Sequence, residues 1–225
     1  MTTTTVYPDA GGGGANTTVD GRVGRESVDE AFATIRAGAG TAVSTTANPT
    51  VAGALNSTGA SANQFAILRR FIATFDTSGV PSGDVISSAT LSLYGNALNN
   101  GLGAADLDIV AATPAANNNL AASDYGNVGS TALATVANAA FSTSAYNDIT
   151  LPTTAVTKAG ITKLGSRLNW DTSGTFGGTW AVGVATSFTI YHADEAGTTK
   201  DPKLVVVHAA PAGVSFLSNM RSVLI

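Results

Sequence analysis

Residues 68–95 (LRRFIATFDTSGVPSGDVISSATLSLYG) constrain the fold more than any other stretch, because they carry two period-two patterns separated by a turn. In the first, Phe71, Ala73 and Phe75 fall on one face and Arg70, Ile72 and Thr74 on the other, the alternation of a half-buried strand. Residues 77–84 then bring together Gly79, Pro81, Gly83 and Asp84. Glycine reaches unusual φ, proline fixes its own, and aspartate bonds nearby backbone, so the chain turns. A second alternation sets Ala89, Leu91 and Leu93 against Thr90, Ser92 and Tyr94 and predicts a second strand. Two strands around so short a turn read as a hairpin-like unit of an all-β module.

The same residues resemble the signature of the DNRLRE-type jelly-roll domain, in which an Arg-rich strand runs into Phe-Asp, a Pro-containing loop follows, and an Ala-x-Leu-x-Leu-Tyr strand ends the phrase. The matching residues are Arg70, Phe71, Phe75, Asp76, Pro81, Ala89, Leu91, Leu93 and Tyr94. Residues 157–165 with Arg167 and Asp171, and residues 191–207, look like the family's closing half. The resemblance implies an all-β, antiparallel jelly-roll β-sandwich at residues 25–208. Residues 1–24 would be a flexible or docking arm merging into the first strand, and residues 209–225 a C-terminal attachment segment. Domains of this type occur as noncatalytic modules of surface and extracellular proteins, some of them carbohydrate-binding, and similar free-standing chains look like virus-particle components.

The 225 residues suffice for a sizeable core. Only 12% are charged and the formal net charge is −4, with no run of Lys or Arg among aromatics, so nucleic-acid binding is not expected. Cysteine is absent, which excludes disulfides and thiolate metal sites. The first residues lack the basic start and apolar core of a secretory signal, and no stretch approaches the roughly 18 apolar residues of a membrane span. A chain made in a host cytoplasm and carried in a virion is expected, with an extracellular or cell-surface location as the alternative.

Along the chain, Gly11 to Gly14 read as a loop: a phosphate-binding P-loop needs a following Lys-Ser/Thr pair, and here Ala15-Asn16 follow. Ser27 to Glu30 fit a helix-capping box with Gly38 as a stop, yet the resemblance makes residues 31–37 a strand, which is the expectation adopted. Residues 38–63 show little periodicity and read as loop with a short strand at most. Leu107 and Ile109 define a strand whose other face carries Asp106 and Asp108; two such carboxylates suit calcium, but no EF-hand pattern accompanies them and a solvated face is expected. Residues 114–129 read as a long exposed loop, residues 153–159 as a short helix ended by Gly160, and residues 162–168 as a strand with Leu164 and Leu168 inward and Lys163 and Arg167 outward. Residues 180–184, 187–191 and 203–208 complete the strand set, with Leu204 and Val206 inward and Pro202 at the strand entrance.

No familiar catalytic constellation appears. His192 and His208 have no metal-ligand spacing, no Gly-x-Ser-x-Gly elbow is present, and Asp194-Glu195 would point apart on a strand. Glu195 is taken as structural. Tyr125, Tyr146 and Trp170 are the candidate glycan-stacking residues, since a flat ring covers the apolar face of a sugar. After a linker at residues 209–213, Phe216, Leu217, Met220, Leu224 and Ile225 make an apolar end that calls for a partner surface, on its own domain or another subunit. The expected function is a noncatalytic virion structural protein: a phage capsid decoration, fibre or tail-associated subunit, homo-oligomeric and bound to other virion proteins. The alternative is an extracellular module recognising polysaccharide through loop aromatics. No cofactor or metal is expected.

Overall fold

The structure, a computed structural model, describes residues 1–59 and 61–212. The assembly residues Phe216, Leu217, Met220, Leu224 and Ile225 lie outside them. The chain is mostly β. In order come β1 (Thr2–Val6), β2 (Asp20–Ala31), α1 (Phe32–Ala37), β3 (Ala42–Ser44), β4 (Thr50–Ser57), β5 (Gln64–Asp76), β6 (Val85–Asn100), β7 (Leu107–Ala112) and β8 (Val128–Val136). β9 (Tyr146–Leu151), β10 (Ile161–Leu168), α2 (Asn169–Ser173), β11 (Ala185–Ile190) and β12 (Lys203–Ala209) follow. Every pairing is antiparallel, and the strands form one curled, sandwich-like sheet in the order β1-β12-β6-β11-β4-β5-β10-β7-β8, with β2 and β3 branching from β5 and β9 from β6.

Both strands expected in residues 68–95 are present, but they do not pair with each other. β5 lies between β2 on one edge and β4 and β10 on the other, whereas β6 pairs with β12, β9 and β11. The turn at residues 77–84 therefore carries the chain between layers and closes no hairpin. β5 is also not half-buried: Arg70 to Phe75 are buried on both faces. β6 keeps the expected face. Leu91 stands opposite Leu204 of β12 and Ile149 of β9, and Leu204 opposite Val6 of β1, giving one inward apolar row across four strands. Where β6 leaves β12 and β9 for β11 stands Gly95; a Cβ there would lie 1.9 Å from the Ser142 carbonyl oxygen, so only glycine permits the approach.

Several local expectations are corrected. Residues 32–37 form helix α1, not a strand, and Ala31 rather than Ser27 precedes its first turn. Its last carbonyls decide the matter: Ile35 accepts from the Tyr125 hydroxyl (2.8 Å) and Arg36 from Arg70 Nη2 (3.0 Å), so distant side chains satisfy the helix end. Residues 50–57 form a central strand, β4, hidden from periodicity by its small residues; Ala52, Ala54 and Leu55 are buried. Residues 180–184 are a turn, with Val182 exposed. The helix expected at residues 153–159 shrinks to a single 3₁₀ turn at Thr153–Ala155, and the left-handed residue is Ala159, not Gly160. No helix among the described residues is long and apolar enough to cross a membrane.

The Gly-rich segment is gripped. Asp9 accepts from the backbone N–H groups of Thr17 (2.8 Å) and Thr18 (3.0 Å), and Gly13 N–H donates to the Asn118 carbonyl (2.5 Å). Gly11, Gly13 and Gly14 all have positive φ, which explains glycine there. Residues 2–6 are a strand of the sheet, so this part of the proposed arm belongs to the fold.

Candidate functional site

The first and last described strands meet at one sheet edge. β1 runs antiparallel to β12 with Thr2 opposite His208, and β1 is the outermost strand on that side. Thr2, Thr3 and Thr5 are exposed. His208 is buried and joins this edge to the turn before β6: Nδ1 donates to the Asp84 carboxylate (2.7 Å), and Nε2 hydrogen bonds with the Thr4 hydroxyl (2.9 Å).

The candidate glycan-stacking residues do not share a face. Tyr125 is fully buried, with the Arg70 guanidinium 3.8 Å from its ring centre, and Trp170 is buried edge-on against Phe176. Neither ring is open to a sugar: Tyr125, in the 3₁₀ turn Ala122–Asn127, is buried with its hydroxyl donating to the Ile35 carbonyl, and Trp170, in α2, packs against Phe176. Tyr146 is partly exposed. It packs edge-to-face on Tyr94, which packs on Tyr191, while Lys203 lies over Tyr146 and Lys200 over Tyr191. Glu195 accepts from Asn48 Nδ2 (2.7 Å) and pairs with Lys200.

Charged side chains expected at the surface are inside. Arg70 donates twice to Asp171 (2.7 and 2.8 Å) and once to the Tyr125 carbonyl (2.6 Å). Arg167, expected outward, is buried beside the same carboxylate (3.3 Å) and donates to the Val128 carbonyl; burial pulls its guanidinium down to about 10. Asp108 is buried too and accepts from Thr135 (2.6 Å), while Asp106 accepts from Asn138 N–H (2.9 Å). These two aspartates serve separate partners and form no calcium pair.

A second polar cluster had no sequence signal beyond the isolated His192 and the adjacent Asp194-Glu195. Asp20 opens β2, and His192, Ala193 and Asp194 follow β11. His192 Nδ1 lies 3.9 Å from Asp20 Oδ1 and 3.8 Å from Asp194 Oδ2, and Ala193 N–H donates to the other Asp20 oxygen (3.1 Å). Asp20 and His192 are fully buried, and Asp194 and Asp201 line an adjoining open cleft of about 760 Å³. Burial pushes the Asp20 carboxyl well above the carboxylate range, with Asp194 and Asp201 adding repulsion, and pulls His192 down to about 3. Burial, with Glu195 and Asp194 nearby, pushes Asp201 up to about 6. Among the described residues, Asp20, His192 and Asp194 are the group of side chains whose ligand atoms all lie within 4.8 Å of one another.

The chain matches no protein-family model and no curated protein.

Proposed function

We infer that the chain is a noncatalytic structural subunit of the kind that decorates or extends a phage particle, docking through the edge where β1 pairs with β12. The observation that carries this is the pairing of β1 with β12 at the outer edge of the sheet. Its outer strand, β1, carries exposed threonines with no charge, proline or bulge to discourage further pairing. Such an edge suits strand addition by a second copy or another particle protein. The apolar side chains of residues 213–225 supply the rest of the attachment. The absence of turnover belongs to the same inference. It is supported by the mutual pairing of Arg70, Arg167 and Asp171, which commits these charges to the interior. The jelly-roll subclass rests on the DNRLRE-type resemblance.

Quantitative mass spectrometry of purified particles from the source tests this reading. A fixed, substantial ratio to the major shell protein through successive purifications is expected. Loss of the chain during purification would contradict it.

One observation favours polysaccharide binding as a second reading. The Tyr94, Tyr146 and Tyr191 patch with Lys200 and Lys203 offers aromatic edges beside two cations, a setting for an anionic sugar.

A further inference from the structure

We propose that Asp20, His192 and Asp194 bind one divalent transition-metal ion of the zinc class, which ties the start of β2 to the loop after β11. Three polar atoms carry the argument. Asp20 Oδ1, His192 Nδ1 and Asp194 Oδ2 are buried and hydrogen bond to no protein atom. Buried polar groups are otherwise paired almost without exception, and an unpaired one costs about 1–3 kcal/mol. His192 is fully buried and its Nδ1 faces both carboxylates, at distances too long for direct hydrogen bonds.

Charge distinguishes an ion from a water molecule. A water would bridge the imidazole and the carboxylates, yet it would bring no positive charge to Asp20 and Asp194, the two carboxylates that face His192 Nδ1. Among the described residues no arginine or lysine forms a salt bridge with either of them. A divalent cation compensates the charge and takes the imidazole lone pair at the same time.

The donors select the class of ion. Calcium and magnesium prefer oxygen ligands throughout, whereas one imidazole with carboxylates suits zinc and its first-row neighbours. Zinc–ligand bonds of about 2.0–2.1 Å place tetrahedral donor atoms about 3.4 Å apart, so the two imidazole–carboxylate separations contract by about 0.5 Å on binding. Asp194 has a side-chain exposure of 18% and lines the cleft, which gives the ion a route in. Asp194 lines the same cleft as Asp9, Ala10, Thr17 and Thr18, so the ion would sit beside the Gly-rich segment as well as joining the two chain segments.

The test uses the full-length, untagged chain, stripped with EDTA and titrated with Zn²⁺ by calorimetry, with bound metal counted after desalting. One zinc per chain is expected. His192→Gln and Asp194→Asn are each expected to weaken binding by at least about tenfold, a loss that even an outer-shell partner causes at metal sites. Zinc is also expected to protect the amides of residues 9–20 and 191–197 from hydrogen exchange. If His192→Gln fails to fold, Asp194→Asn at the cleft wall still reports. Failure to retain zinc, wild-type affinity in Asp194→Asn, or binding of Ca²⁺ with refusal of Zn²⁺ would each overturn the proposal.

Discussion

Arg70 and Asp171 stand 101 residues apart in the chain and form a doubly hydrogen-bonded ion pair whose side chains are 2% and 1% exposed. The pair joins central strand β5 to α2, and Arg70 also satisfies carbonyls at Arg36 and Tyr125. Removing one partner strands a buried charge. Asp171→Asn is therefore expected to lower the unfolding free energy by about 3–5 kcal/mol, measured by urea denaturation. Replacing Arg70 and Asp171 together by Met and Leu should cost less than the two single changes summed. A loss below about 1 kcal/mol for Asp171→Asn would contradict this account of the interior.

Gly95 and Gly79 make a matched pair of substitutions. At Gly95 a Cβ meets the Ser142 carbonyl at 1.9 Å, whereas at Gly79 nothing lies within 4 Å. Gly95→Ala is expected to destabilise by about 1–3 kcal/mol or more, as overpacking does, and Gly79→Ala to stay near neutral. Thermal unfolding of both variants separates the two cases. Equal midpoints would mean that β6 does not pass Ser142 as described.

What the sequence revealed and what it concealed follow from the range of the interactions involved. The strands at residues 70–76, 89–94 and 203–208 were legible because alternation is local and their inward residues are large. β4 was not, since Ala52, Gly53 and Ala54 give no contrast between faces although the strand is central. Arg70, Arg167 and Asp108 were placed outside because charge alone argues for solvent. Their partners come from other segments, and only the fold brings Asp171 and Thr135 to them. The Asp20, His192 and Asp194 cluster was concealed for the same reason: 172 residues separate Asp20 from His192, and no short motif spans that distance.

The buried histidine sets an acid dependence. His192 is held at about 3 when folded against an ordinary 6.5, so the unfolded chain takes up a proton that the fold refuses, and this contribution loses stability as pH falls from 6.5 towards 3. Asp201 does the opposite: at about 6 when folded against an ordinary 3.8, it takes its proton first in the fold and adds stability as pH falls from 6 towards 4. Asp20 and Asp194, also raised, act in the same sense as Asp201. In EDTA, His192→Gln removes only the opposing contribution. The variant should gain stability relative to wild type between pH 6.5 and 4, read from denaturation midpoints; parallel profiles would contradict the burial of His192.

The tyrosine patch offers a direct check on polysaccharide binding. Tyr146→Ala with Tyr191→Ala should abolish retention on an anionic polysaccharide if that patch binds sugar, while Tyr125→Ala should act through stability alone, since its ring is covered by Arg70. Unchanged retention in the double variant would remove the patch from consideration.

The central claim is that this module docks through the edge formed by β1 and β12. Because the chain has no cysteine, a single one can be placed at will. Thr3→Cys puts a thiol on the exposed face of β1, and Thr131→Cys puts one on β8, the strand at the other end of the sheet order. Thiol-directed cross-linking in purified particles should join Thr3→Cys to a second copy or to a neighbouring particle protein and leave Thr131→Cys unlinked. Linkage at residue 131 with none at residue 3 would contradict the account and place the docking surface at the opposite edge.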